Sequence, residues 1–78
     1  MIVHVIQLNS EDPNCNLLYL GLTADKVLND VKEDILPRIE ESEVAESFKV
    51  IWDIKGLEEW FQDNFCFYKV EYFTRDVK

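Results

Sequence analysis

The sequence predicts a small α+β domain: a mainly antiparallel sheet with helices on one face. Three observations predict it. Two short aliphatic runs, IVHVIQL and CNLLYLGL, open the chain on either side of a turn-rich segment. Apolar residues then recur at helical spacing from Thr23 onward. From Phe48 the pattern changes to alternation, and the closing run FCFYKVEYFT is again strand-like. Strands and helices mixed within 78 residues leave room for one domain, residues 1–78, with its helices layered on a sheet.

The elements follow in order. In IVHVIQL, four of the seven residues are β-branched, which suits a pleated strand. Ile2, His4, Ile6 and Leu8 would face one way and Val3, Val5 and Gln7 the other. Apolar residues on both faces mark an interior strand. NSEDPN supplies turn formers, with Pro13 fixing a bend, so Cys15–Leu22 returns as the second strand of a hairpin. Thr23 is placed to cap a helix, and Asp25 suits its positive end. Ala24, Val27, Leu28, Val31 and Ile35 form its apolar stripe. Pro37 ends or kinks this helix near Leu36, because it lacks an N–H and clashes one turn back. Residues 38–47 form a second helical piece, with Ile39, Val44, Ala45 and Phe48 as its apolar contacts. Phe48, Val50, Trp52 and Ile54 alternate with Lys49, Ile51, Asp53 and Lys55, the pattern of a strand, which Gly56 ends. Leu57, Trp60 and Phe61 have the spacing of a short helix. Phe65–Thr74 is the last strand, with Cys66, Tyr68, Val70 and Tyr72 on one face and Phe65, Phe67, Lys69, Glu71 and Phe73 on the other. Arg75–Lys78 is a frayed tail.

Charge narrows the function. The net charge is −8, with 16 acidic against 8 basic residues. Phosphate repels such a surface, which argues against direct binding of nucleic acid and of anionic membranes. It favours a basic partner. Two cysteines, Cys15 and Cys66, are too few for a disulfide-stapled secreted domain. The chain begins without the pattern of a signal peptide and holds no apolar run long enough to span a membrane. The expected compartment is the cytoplasm, with both thiols free and buried as small core residues.

No constellation forces a chemistry. His4, the single histidine, lies mid-strand among apolar residues, away from a nucleophile or carboxylate. His4, Cys15 and Cys66 lack the close ligand pairs typical of zinc sites. Asp30, Glu33 and Asp34 lack the alternation and glycine turn of a calcium loop. Gly21 and Gly56, the two glycines, are too far apart for a phosphate-binding loop. The expectation is a non-enzymatic protein without a cofactor or metal.

Two surfaces remain. The stretch Thr23–Phe48 carries eight of the 16 acidic residues. On a helix, side chains three or four residues apart are neighbours, so Asp30 with Glu33 and Asp34, and Glu40 with Glu43, would form carboxylate rows. With Glu41 and Glu46 they offer a partner's Arg and Lys side chains the charge that phosphates normally offer. The second surface is aromatic. Nine of the ten aromatic residues lie from Phe48 onward, and Trp52, Trp60 and Tyr72 are the expected apolar anchors of an interface. The expected function is therefore an inhibitor that occupies a basic, nucleic-acid-binding surface of another protein. The alternative is a homodimeric assembly or regulatory protein that associates through the aromatic face of its sheet.

In general character the chain resembles the small acidic proteins that bacteriophages encode against host defences, among them anti-CRISPR proteins and DNA mimics. The shared features are a short single domain, high acidity and no cofactor or catalytic motif. The resemblance implies an inhibitor acting in the host cytoplasm. It has no motif to align, so it assigns no residue a role.

Overall fold

Ile2–Asn9 forms the central strand, β1. The structure, a computed structural model, describes residues 1–77. The second strand, β2, is Leu17–Gly21, and the third, β3, is Lys69–Asp76. Both pair with β1 in antiparallel sense, giving the order β2-β1-β3. Three helices connect β2 to β3: α1 at Ala24–Ile35, α2 at Ser42–Lys49 and α3 at Ile54–Asn64. They cover one face of the sheet, so the α+β class with a small antiparallel sheet holds.

Local chemistry sets the boundaries. Between the hairpin strands, the Asp12 carboxylate accepts the Asn14 N–H at 3.0 Å and starts a one-turn 3-10 helix, Pro13–Cys15. This delays β2 to Leu17 and leaves Cys15 in the turn. Thr23 Oγ1 accepts the Lys26 N–H at 3.0 Å, the cap read from the sequence. Gly21 ends β2 where the chain passes close to α1: a Cβ there would lie 2.9 Å from the Val27 backbone nitrogen. Pro37 splits the helical stretch rather than kinking it. The helix passes into a 3-10 turn, Leu36–Arg38, Ile39 is extended, and α2 begins only at Ser42.

The strand expected over 48–55 is absent; that segment is the end of α2, a short connection and the start of α3. The physical reason is a competing period. Phe48, Ile51, Leu57, Trp60 and Phe61 are buried and Ile54 is half-buried, spacings of three and four rather than two. Asp53 then caps α3, its carboxylate accepting the Gly56 N–H at 2.7 Å. Gly56 therefore belongs to the first turn of a helix and ends no strand. The last strand also starts later than expected. Phe65–Tyr68 turns instead, with the Tyr68 N–H bonded to the Phe65 carbonyl at 3.0 Å, and β3 runs from Lys69. Of the expected frayed tail, Arg75 and Asp76 continue β3 opposite Val3 and Ile2, and Lys78 lies outside the described residues.

The core lies between the sheet and the helices. Ile6 and Leu8 of β1 meet Val27, Leu28, Val31 and Ile35 of α1 and the aromatic group of α2 and α3. Phe48 is its centre, edge-on to Trp60 at 4.6 Å and to Phe61 at 6.3 Å between ring centroids. The indole N–H of Trp60 donates to Ser47 Oγ at 2.9 Å, so burying the ring leaves no polar group unsatisfied. Tyr19 on β2 donates its hydroxyl to Asp34, joining the hairpin to α1. Both cysteines are exposed, Cys15 in the 3-10 turn and Cys66 in the turn before β3, which corrects the expectation of buried thiols.

Phe48→Ala empties the joint between α2 and α3 and is expected to cost about 3–5 kcal/mol in denaturant unfolding. Trp52→Ala, at a side chain 80% exposed, should stay within about 0.5 kcal/mol of the parent. Burial, reinforced by the hydrogen bond to Asp34, pushes the Tyr19 phenol well above its usual value of 10.0. A raised phenol holds its proton longer in the folded state. Its contribution to stability is therefore complete below pH 10 and is lost as the pH rises further. Ultraviolet titration should show a late-ionising tyrosine component, and Tyr19→Phe should remove it.

Candidate functional site

The helix layer concentrates the acid. Twelve of the 16 acidic residues lie between Thr23 and Asn64. Their placement differs residue by residue. On α1, Asp30 accepts Lys26 Nζ at 2.7 Å, and this carboxylate in turn holds the Lys26 ammonium above its ordinary pKa. Asp34 is engaged twice, by the Tyr19 hydroxyl and by Arg38 Nη2 at 3.5 Å. Glu46 on α2 pairs with Lys49 at 2.9 Å. These exposed pairs are weak and exchange readily with solvent or with a partner's cations.

Glu33, Glu40, Glu41 and Glu43 are exposed and have no ion-pair partner among the described residues. Three of them lie together where the chain enters α2. Glu40 and Glu41 precede the helix and Glu43 is in its first turn, so the helical pairing of Glu40 with Glu43 is replaced by an extended approach. Glu41 stands at the cap position without a side-chain cap bond. A helix start favours negative charge nearby, which stabilises this local crowd of carboxylates. A shallow groove of about 380 Å³ lies beside them, with Arg38, Ile39, Val44 and Phe65 in its lining together with Glu40 and Glu41.

The aromatic candidates separate into three environments. Trp52 projects from the connection between α2 and α3, 80% exposed, with Val50 exposed beside it. That connection is held by Lys32, whose Nζ donates to the Lys49 carbonyl at 2.8 Å and the Ile51 carbonyl at 2.7 Å. Trp60 is a core residue, 7% exposed, and so is no surface anchor; its spacing with Leu57 and Phe61 places it on the inner stripe of α3. Tyr72 is half-buried on the helix side of the sheet, its hydroxyl 2.7 Å from His4 Nδ1. The structure thus brings Glu40, Glu41, Glu43 and Glu46 together around α2, puts Trp52 beyond the far end of that helix, and withdraws Trp60.

Among the described residues, no helix lies over the other face of the sheet. Val3, Val5, Gln7, Leu18, Leu20, Phe73, Arg75 and Val77 form an open apolar surface. Leu18 and Leu20 are 60% and 58% exposed. This face carries one ring, Phe73, because Tyr72 points the other way; it is aliphatic rather than aromatic. The leucines of CNLLYLGL were the sequence signal for it: Leu18 and Leu20 alternate with Leu17 and Tyr19, which turn to the core.

Among the described residues, no three His, Cys, Asp or Glu side chains converge as metal ligands, and no helix is long and apolar enough to cross a membrane. Comparison of the chain with protein-family models, with curated proteins and with solved structures found no match to any of them.

Proposed function

We propose that this chain is a non-enzymatic protein-binding module, an inhibitor that occupies a basic, nucleic-acid-binding surface of a partner. The observation that carries the reading is the group Glu40, Glu41 and Glu43: exposed, adjacent, and without an ion-pair partner among the described residues. A carboxylate without an ion pair among the described residues gives up none of those contacts when it meets Arg or Lys. Charge-assisted hydrogen bonds to a guanidinium are the strong contacts available there. Glu46, Glu33, Asp30 and Asp34 extend the field along α2 and α1, at the cost of loosening weak pairs. Trp52 supplies the apolar anchor, since an exposed indole that becomes desolvated contributes heavily to binding. The concentrated negative field accelerates encounter with a basic surface and makes it sensitive to salt.

This mode of action is that of small acidic bacteriophage anti-defence proteins, including anti-CRISPR proteins and DNA mimics. In that setting the chain would work in the host cytoplasm.

The test is charge reversal. The triple variant Glu40→Lys, Glu41→Lys, Glu43→Lys should keep its far-ultraviolet circular dichroism. It should lose affinity for a captured partner by about tenfold or more, equivalent to about 1.4 kcal/mol. The wild-type complex should also weaken between low and high salt. Capture that survives both the reversal and high salt would overturn the charge-based reading.

A further inference from the structure

From the register of the open sheet face we infer that it docks a second copy of this chain, giving a four-layer dimer with the acidic helices on the outside. Four rows of side chains cross this face, three at its centre and Asn9 with Lys69 at one end. Leu20, Val5 and Phe73 form the middle row, since Val5 lies opposite both Leu20 and Phe73. Leu18, Gln7 and Glu71 form the row on one side, and Val3 with Arg75 the row on the other. Glu71 and Arg75 are thus equally spaced about Phe73, with opposite charge.

That arrangement matches itself. A twofold interface must present one patch to an identical patch. If the axis runs along the middle row, each strand lies antiparallel over its own copy. The Leu20, Val5 and Phe73 rows then meet, and Glu71 of each chain faces Arg75 of the other, twice. Sheets stacked face to face sit about 10 Å apart, the distance at which such side chains interdigitate.

Charge selects the same occupant. The ionised side chains on this face are Lys69, Glu71 and Arg75, a balance of +1 on a chain of net charge −8. Among the described residues, Glu71 is the single carboxylate on this face, and two cations offset it. Two copies joined here hold their acidic layers at opposite ends of the assembly, where mutual repulsion is least. The size also constrains the affinity. Three strands about 4.8 Å apart and eight residues at about 3.3 Å outline a face of about 400 Å². That falls in the class of weak, reversible interfaces.

Analytical ultracentrifugation of the full chain tests this. Between roughly 1 µM and 1 mM the mass should rise from that of one 9.3 kDa chain toward twice that value, and high salt should not reverse it. Leu18→Lys with Leu20→Lys changes only exposed side chains, so the fold should persist by circular dichroism while the dimer is lost. Glu71→Arg alone and Arg75→Glu alone should each weaken association at least about fivefold, and the two together should restore it. A wild-type chain that stays monomeric throughout, a dimer untouched by the leucine changes, or a charge swap that fails to rescue would overturn the inference. So would a monomeric chain whose leucine face is needed to capture a different protein. The triple reversal at Glu40, Glu41 and Glu43 should leave the dimer intact, so this contact and the acidic one fail separately.

Discussion

A central strand that is apolar on both faces needs cover on both, and this chain has helices for one. That imbalance organises the molecule. β1 carries Ile6 and Leu8 toward the helices and Val3 and Val5 away from them. The helix side receives the buried rings and almost all of the core. On the other side Val5 is 3% exposed only because Leu20 and Phe73 flank it. A chain of this length buries a modest fraction of its surface, so it cannot spare a fourth helix for the open face. The burial that does exist is concentrated where large rings give the most area per residue.

The division of labour between the two faces follows from the same imbalance. Charge and apolar surface are largely segregated: twelve of the 16 carboxylates belong to the layer that already has a core beneath it. A helix with a buried stripe can tolerate neighbouring like charges because packing, rather than helix propensity, holds it together. α2 shows this most clearly. It has eight residues, no side-chain cap and a crowd of acid at its start, yet Phe48 fixes it against Trp60 and Phe61.

Much of this was legible in the sequence, and the parts that were not have identifiable causes. The hairpin, the Thr23 cap, the apolar stripe of α1 and the two-sided character of β1 came directly from residue spacing. The segment from Phe48 to Lys55 did not, because two periods coexist there. Phe48, Val50, Trp52 and Ile54 alternate, but the burial follows Phe48, Ile51, Leu57 and Trp60. Asp53 decides between them by capping α3, and an Asp three residues before a glycine was the available clue. The acidic site was legible as a cluster and misread in detail. Glu40 precedes the helix, and Asp34 is engaged by Tyr19, a contact between residues fifteen positions apart that no local pattern encodes. Trp60 was legible as part of the apolar stripe with Leu57 and Phe61, which pointed to the core; its choice as a surface anchor followed ring type rather than position.

The Lys32 ammonium, bonded to the carbonyls of Lys49, the last residue of α2, and of Ile51, bears on how Trp52 meets another molecule. An indole on a loose connection must be immobilised when it binds, and each ordered side chain or loop residue subtracts from affinity. Here the backbone just before the indole is tethered to α1 by one cation, which also sits at the negative end of α2. The chain has thus spent that ordering entropy in folding rather than in association. Trp52 stands in solvent like a loop residue, but its backbone is held from within the fold.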